Sequence, residues 1–234
     1  MRLGLALSLL ACVGCAHGRA VRLASDVDVR PLAPGVWLQR TYRDGLAANG
    51  LLVETRDSSV LVDAGWNDAQ AAALFDFAAT RLHRPIRDVI VTHAHVDRIG
   101  GAGEALRRGA RVHALARTIA HARERRQAIP DVAEPQQSAL TIGGVTLELF
   151  YPGAGHTDDN LVVWLPATRV LYGGCFLKPG AATDLGNIAD ADVGAWPASL
   201  ARVAERAPHP AIVVPGHGAL GGDPIARTAA LLHH

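Results

Sequence analysis

The chain has 234 residues, of which 49% are hydrophobic and 19% are charged, and its formal net charge at pH 7 is +1. A chain of this length and apolar content can bury one substantial core, so we expect a single domain without an internal linker. The near-neutral charge and the lack of a basic stripe argue against a nucleic-acid partner and leave a small neutral or anionic substrate open.

Residues 1–18 are typical of an export leader, and we assign the folded domain to residues 19–234. Arg2 precedes an apolar run over residues 3–13, which ends in small residues. The run is too short to remain in a bilayer as a spanning helix, which favours a secretory signal. We therefore expect the mature protein in the periplasm.

Two cysteines in this leader raise the alternative of lipid attachment. The sequence LLAC over residues 9–12 resembles a bacterial lipobox, which would make Cys12 the acylated residue, and Cys15 is a second candidate. Simple cleavage near Ala16 is the alternative. Acylation would anchor the protein to the outer membrane, and this anchor would be its only contact with a membrane.

The first predicted elements form an antiparallel meander. Polar turns separate three apolar runs, which predicts strands over residues 36–39, 50–54 and 59–62. Asn67 caps an alanine-rich helix that ends near residue 82, before Pro85. The next elements in the chain are a strand over 88–91, a helix over 102–108, a strand over 111–114 and a helix over 117–127.

The second half of the chain repeats this order of strands and helices. Strands are predicted over residues 145–150, 161–165, 169–172 and 212–214, with helices over 196–207 and at the C-terminus. Strands followed by helices in both halves indicate an α+β fold in which two sheets pack face to face with helices outside.

A metal-binding pattern follows the strand at 88–91. His93, His95 and Asp97 place two imidazoles and a carboxylate within five residues at the end of a strand. A rigid strand would direct both imidazoles to one ion, and Asp97 would reach a second ion or orient water. A histidine-rich surface turn is the alternative, because a short motif matches by chance.

Three later residues, each in a glycine-rich turn beside an apolar run, favour the metal site. The two resulting ligand sets are His93, His95 and His156, and Asp97, Cys175 and His217. Three protein ligands leave the fourth position of a tetrahedral zinc ion open, as in catalytic sites, and this mixture of donors suits zinc better than magnesium or calcium. Cys175 is the only cysteine after the leader; a buried structural thiol is its alternative role.

These motifs resemble those of the first, dizinc subclass of metallo-β-lactamases, which run HxHxDR, a lone His, a Cys and a final His. The resemblance extends from about Val29 to the C-terminus. Arg98 stands where glyoxalase-type thioesterases, tRNA-processing nucleases and the third lactamase subclass have another metal-binding histidine. Cys175 stands where the thioesterases and nucleases usually have a bridging aspartate. Further matches are DAGW at 63–66, FYPG at 150–153 and LGNIADAD at 185–192.

The resemblance implies an αββα sandwich with two Zn²⁺ ions per chain at one edge of the sheets. It also implies a monomer that hydrolyses the β-lactam amide of penicillins, cephalosporins and carbapenems, and so confers antibiotic resistance. In this family Asp97 would hold the attacking hydroxide in line, Asn187 would donate to the developing oxyanion, and Lys178 would pair with the substrate carboxylate.

Other side chains would support the site. By the same resemblance, Asp63 and Arg98 would orient the metal ligands; the alternative is that they form ordinary buried or surface pairs. Trp66 would form the floor of the substrate pocket; the alternative is that it packs in the apolar core. Residues 40–49 would form a loop at the place of the family's mobile flap. His113, within a strand, is expected to be a packed residue.

Two other functions compete with β-lactam hydrolysis. A thioesterase acting on glutathione conjugates would use the same scaffold, but Cys175, Arg98 and the export leader argue against it. A non-catalytic zinc-binding lipoprotein of the envelope would need an incomplete site, whereas all six candidate ligands are present.

Overall fold

Two mixed β-sheets form the centre of the computed structural model, which describes residues 19–233. The strands of the first sheet lie side by side in chain order. They are β1 (Val21–Ala24), β2 (Val27–Ala33), β3 (Val36–Arg43), β4 (Leu46–Glu54), β5 (Ser59–Val62), β6 (Ile86–Ile90), β7 (Arg111–Leu115) and β8 (Val132–Glu134). Pairing is antiparallel from β1 to β5 and parallel from β5 to β8.

The second sheet has its last strand at one edge. Its strands are β9 (Gln137–Ile142), β10 (Val145–Phe150), β11 (Val162–Leu165), β12 (Val170–Gly174) and β13 (Ile212–Pro215). They lie in the order β13-β12-β11-β10-β9, and only the β12–β13 pair is parallel. The predicted leader at residues 1–18, with Cys12 and Cys15, lies outside the described residues.

Residues 19–233 contain six helices, five between strands and one after the last strand. They are α1 (Asp68–Thr80), α2 (Val96–Ile99), α3 (Ala102–Arg107), α4 (Ala116–Glu124), α5 (Trp196–Arg206) and α6 (Pro224–Leu232). The predicted cap of α1 is confirmed, since the Asn67 side chain accepts a hydrogen bond of 2.9 Å from the Gln70 amide. Across the described part of the chain, no helix has the length and apolar character that crossing a membrane requires.

Three buried apolar layers hold the sheets and helices together. One layer packs helices α1, α3 and α4 on the outer face of the first sheet, and another packs α5 and α6 on the outer face of the second. Between the sheets, Leu38 and Leu51 belong to the same buried cluster as Leu147 and Leu149. The predicted αββα sandwich is confirmed, because each sheet buries one face against the other and one against helices.

The sandwich brings the ends of four strands to one edge. Strands β5 and β6 pair in parallel, as do β12 and β13, so each pair ends at the same side of its sheet. Asp63 directly follows β5, and the His93 turn follows β6. Cys175 directly follows β12, and His217 follows β13. Residues that are far apart in the sequence therefore lie close together at this edge of the sandwich.

The expected loop at residues 40–49 is a pair of hydrogen-bonded strands, so that prediction is wrong. Arg43 pairs with Leu46, and the turn between them consists of Asp44 and Gly45, with φ of 50° and 80°. A two-residue Asp-Gly turn of positive φ matches the twist of paired strands, which lets the hairpin continue to its tip. The exposed Leu46 lies just after that turn.

A buried ionic network lies between the sheets, around the histidine that was expected to pack within a strand. The two ring nitrogens of His113 lie 2.8 Å from a Glu134 oxygen and 3.0 Å from an Asp88 oxygen. Arg111 also pairs with Asp88, and Ser138 of β9 donates to Glu134. A neutral imidazole has only one N–H, so both contacts are hydrogen bonds only when His113 is an imidazolium.

Candidate metal centre and active site

The three histidines of the first predicted set come together at the sheet edge. One nitrogen from each of His93, His95 and His156 lies within 4.8 Å of the others. His95 Nδ1 and His156 Nε2 are 3.2 Å apart. Two nitrogens that are each 2.0–2.1 Å from a tetrahedral zinc ion lie roughly 3.3 Å apart, so this spacing fits two ligands of one ion.

The protonation state of two of these histidines suits a metal, whereas the contact with Cys175 outweighs burial and raises the pKa of His93. Burial lowers the pKa of His156 to about 4, and burial followed by the charge of His93 lowers the pKa of His95. Both are therefore neutral at pH 7, as metal ligands must be. The buried Nε2 of His93 has no hydrogen-bond partner among the described residues, and a polar atom in that state needs a ligand.

Asp97, Cys175 and His217, the second predicted set, lie beside the first. Cys175 Sγ is 3.3 Å from His217 Nε2 and 3.6 Å from Asp97 Oδ2, and the latter two atoms are 3.2 Å apart. Zinc with one sulfur ligand at about 2.3 Å and two N or O ligands at about 2.0–2.2 Å requires separations of roughly 3.3–3.6 Å. The sets adjoin, since His93 also lies within 4.8 Å of Asp97 and Cys175.

Arg98 lies fully buried beneath the second set. Its Nη2 is 3.1 Å from Cys175 Sγ and 2.8 Å from both Asp97 Oδ2 and the Gly216 carbonyl oxygen. Burial raises the pKa of Cys175, but Arg98 and then His217 outweigh it and hold that pKa well below its usual range. Arg98 likewise outweighs burial at Asp97 and lowers the pKa of that carboxyl. Both ligands are therefore anionic before a metal arrives.

Asp63 supports the start of the His93 turn. Its two oxygens accept hydrogen bonds from the amide and hydroxyl of Thr92, at 2.9 and 3.0 Å, and from the Tyr172 hydroxyl at 2.6 Å. Asp63 has a φ of 63°, in the left-handed region that side chains rarely occupy. Because these contacts hold a strained backbone directly under the metal ligands, the geometry is consistent with an orienting role.

Three residues that the sequence did not single out also contact this site. The Tyr172 hydroxyl lies 2.6 Å from both Asp63 Oδ2 and the Asn49 carbonyl oxygen, and Arg98 donates to the Tyr172 oxygen. Asp159 accepts from the Ala94 amide at 3.0 Å. Asp190 Oδ2 lies 2.8 Å from His95 Nε2.

The contact with Asp190 fixes one tautomer of His95. When Nε2 carries the proton and donates it to the carboxylate, Nδ1 is left as the ligand atom facing His156. Within the sequence, the only signal for Asp190 was its place in the LGNIADAD segment, where it could not be told apart from Asp192.

A cavity of about 690 Å³ opens above both ligand sets. The three side chains predicted to bind substrate, Lys178, Asn187 and Trp66, all line it, together with Leu46 from the hairpin tip. Trp66 is only partly buried, which agrees better with the pocket floor than with a core position. Its indole N–H donates to the Thr41 carbonyl oxygen at 3.4 Å.

The pocket walls hold Lys178 and Asn187 differently. Lys178 is 8% exposed, and its Nζ lies 5.2 Å from the centre of the Trp196 ring. Burial lowers its pKa. Asn187 is exposed, and its Oδ1 accepts a hydrogen bond of 3.1 Å from the Ala189 amide, which leaves the NH₂ group as the part that can donate to a ligand.

Comparisons with known proteins agree with this geometry. The sequence profile of the metallo-beta-lactamase superfamily matches residues 43–217. "Metallo-beta-lactamase type 2" of Bacillus cereus is 39% identical over 83% of this chain and 78% of its own length. The protein of the same name from Bacteroides fragilis is 35% identical over 92% of this chain and 89% of its own.

Solved structures of metallo-beta-lactamases are also similar to this chain in fold and sequence. A metallo-beta-lactamase from Pontibacter korlensis superposes with a TM-score of 0.85 at 36% identity, covering 88% of this chain and 99% of that one. FIM-1 from Pseudomonas aeruginosa, solved in its mono-zinc form, gives a TM-score of 0.85 at 31% identity, covering 91% and 98%. On the family profile, the relatives, the fold and the six assembled candidate ligands, this chain belongs to the metallo-β-lactamase superfamily.

Proposed function

We propose that this protein is a zinc hydrolase that opens the β-lactam amide of penicillins, cephalosporins and carbapenems, and thereby confers resistance to them. The observation that carries the proposal is the pair of adjoining ligand sets at the base of the 690 Å³ cavity. Each set supplies three protein ligands and borders the cavity, and three protein ligands with an open fourth position are the arrangement of catalytic zinc.

Two Zn²⁺ ions per chain are part of this proposal. His93, His95 and His156 would hold one ion, and Asp97, Cys175 and His217 would hold the other. Zinc in such sites polarises a carbonyl oxygen and makes water a competent nucleophile at neutral pH. FIM-1 was solved in a mono-zinc form, so the number of ions that this chain binds is tested by measuring its metal content.

The chain's own residues would direct the reaction. Asp97, kept ionised by Arg98, would accept a hydrogen bond from the attacking water and orient it towards the lactam carbonyl. Asn187 would donate its NH₂ hydrogens to the oxygen on which negative charge develops, a contact that strengthens in the transition state. Asp63 and Arg98 would keep the ligands in place.

Substrate binding would use other residues that line the cavity. Lys178 would pair with the substrate carboxylate, since its flexible stem brings one ammonium group to the pocket without the fixed fork of an arginine. Trp66 and Leu46 would contact apolar parts of the substrate. The cavity thus offers the Lys178 ammonium for the carboxylate, and an apolar floor.

The proposed place of action is the periplasm, with the protein acting as a monomer. Lipid attachment to the outer membrane is tested by partitioning of the full-length protein between membrane and soluble fractions. Release from the membrane by Cys12→Ala would identify Cys12 as the acylated residue, and release by Cys15→Ala instead would identify Cys15. A wild-type protein in the soluble fraction would favour simple cleavage.

Turnover of a chromogenic cephalosporin and a carbapenem by the purified protein tests the function. We expect hydrolysis that a chelator abolishes, that zinc restores, and that serine-directed inhibitors leave unchanged, because no protein nucleophile takes part. Cys175→Ser serves as a matched variant: its metal content should fall from two ions towards one, because a neutral hydroxyl is a poor ligand. Much faster hydrolysis of S-lactoylglutathione than of any β-lactam would instead support a thioesterase.

A further inference from the structure

We propose that Arg125 is a positioning residue for this metal centre, acting on His95 through the carboxylate of Asp190. Arg125 is not one of the six candidate ligands, and it follows directly after helix α4. The effect that we expect of Arg125 on catalysis rests on the proposed function, whereas its expected effect on metal binding does not.

The guanidinium of Arg125 joins two parts of the site. Its Nη2 lies 2.9 Å from Asp190 Oδ2, and its Nη1 donates to the Ala94 carbonyl oxygen at 3.1 Å. Ala94 lies between the ligands His93 and His95. The same oxygen of Asp190 is 2.8 Å from His95 Nε2. Arg125, Asp190 and His95 therefore form one chain of contacts that ends at a metal ligand.

Asp190 needs such a partner to orient a histidine. Its side chain is 45% exposed, and it lies in the long irregular segment between β12 and α5. An exposed carboxylate on irregular backbone exchanges its partners with water, so a single contact with His95 would be weak. A second contact, from a planar guanidinium that is itself held by the Ala94 carbonyl, fixes the carboxylate oxygen in place.

The same contacts hold the pocket wall. Asn187, the proposed oxyanion donor, lies three residues before Asp190 on that segment. Arg125 ties the segment to the His93–His95 turn, so the distance between the metal ligands and Asn187 depends on it. Loss of Arg125 should then reduce kcat, because a transition-state contact is misplaced, more than it raises KM.

Metal affinity is the primary test, because it involves no β-lactam. The variants are Arg125→Ala, Arg125→Lys and Asp190→Asn, with Arg123→Ala as the control, since Arg123 is exposed on the same helix. We expect Arg125→Ala to weaken zinc binding at the three-histidine set by about tenfold, the lower end of the effect of a residue that orients a ligand. Arg125→Lys should restore part of this loss, and the control should bind like wild type.

Cobalt substitution separates the two ligand sets. The thiolate-to-cobalt charge-transfer band reports the ion at Cys175 and should persist in Arg125→Ala, while the d–d bands of the three-histidine ion should change. In the Asp190→Asn background, Arg125→Ala should add little to the loss of affinity, because both changes break one chain of contacts.

Two results would overturn the assignment. Wild-type zinc affinity in Arg125→Ala would show that the guanidinium does not position His95. Losses from Arg125→Ala and Asp190→Asn that add fully would show that Arg125 does not act through Asp190. If the wild type binds zinc as expected but turns over no β-lactam, the proposed function fails while these binding results still decide the role of Arg125.

Discussion

Arg98 offers the most demanding test of how the second ligand set is held before metal binds. Its guanidinium is completely buried and contacts Asp97 and Cys175 together with the carbonyl oxygens of Asn49 and Gly216. Replacement by alanine leaves two anionic ligands and two carbonyls without this donor. Replacement by lysine keeps the charge but not the five donors of the fork.

The magnitudes follow from burial. Breaking a buried ion pair by removing one partner costs about 3–5 kcal/mol, so Arg98→Ala should lose a large part of the roughly 5–15 kcal/mol that stabilises a typical domain. Arg98→Lys should lose about 1.5–3 kcal/mol, the value for hydrogen bonds to charged groups. The exposed Arg107, which pairs with Asp68 and Glu104, is the matched control and should change stability little.

Urea unfolding of the metal-free variants measures these losses, and thiolate absorbance against pH measures the second effect. Without Arg98, burial should dominate at Cys175, so its pKa should rise and the thiolate should appear at higher pH than in the wild type. Equal unfolding midpoints for Arg98→Ala and Arg107→Ala, or an unchanged thiol titration, would refute the argument that Arg98 organises this set.

Two further predictions concern Lys178 and His113. Lys178→Ala should raise KM more than it lowers kcat, with a loss in kcat/KM of about one to two decades, corresponding to about 1.5–3 kcal/mol for a contact with a charged group; equal losses on a carboxylate ester of the same substrate would count against a carboxylate contact. At His113, burial lowers the pKa, but hydrogen bonds with Asp88 and then Glu134 outweigh it, so the folded-state pKa is raised. The stability from this imidazolium should be fully present below about pH 6.5 and disappear as pH rises through the raised value; the difference in unfolding free energy between wild type and His113→Asn should be about 1.5–3 kcal/mol at pH 6 and shrink at pH 9, and a pH-independent difference would contradict it.

Periodicity predicted the interior of the fold better than its edges. The buried strands β5, β10 and β12 appear close to where their apolar runs predict them. Strands β1, β2, β8 and β9 were not predicted, because they are short, at or near sheet edges, or only half buried, as in the alternating exposure of β9. Such strands form through pairing with a neighbour, which a local pattern does not contain.

The candidate ligands were predictable from the sequence, whereas the residues that contact and support them were not. The close spacing of His93, His95 and Asp97 indicates a metal site, and the glycine-rich turns indicate Cys175 and His217 as further ligands. Tyr172, Asp190 and Arg125 act through contacts between distant segments. In a chain with 23 lysines and arginines, no local feature distinguishes Arg125 from the other cations along α4. Only the folded arrangement shows which of them meets Asp190.

The second ligand set has a further consequence for metal uptake. Burial lowers the pKa of His217, but the negative charge of Cys175 and then the hydrogen bond with Asp97 outweigh it and raise that pKa to about 9. Cys175 has a pKa well below its usual range. In the metal-free protein at pH 7, this pair is therefore a thiolate beside an imidazolium. The Nδ1–H of His217 donates to the Ala47 carbonyl oxygen at 2.8 Å, so the proton that a metal displaces is the one on Nε2.

Zinc entering this set should displace that one proton, since a ligating histidine must be neutral and the thiolate is already ionised. The equivalent of zinc that binds Cys175 should therefore release one proton from His217 near pH 7.5, in addition to any proton lost by zinc-bound water, and this contribution should disappear above about pH 9 as His217 deprotonates in the free protein. Calorimetric titrations in buffers of different ionisation enthalpy count the protons, with the cobalt–thiolate band identifying the site. Equal proton release at pH 7.5 and above pH 9 would mean that His217 is already neutral in the free protein, and it would contradict the charge-paired state inferred from the Arg98, Cys175 and His217 contacts.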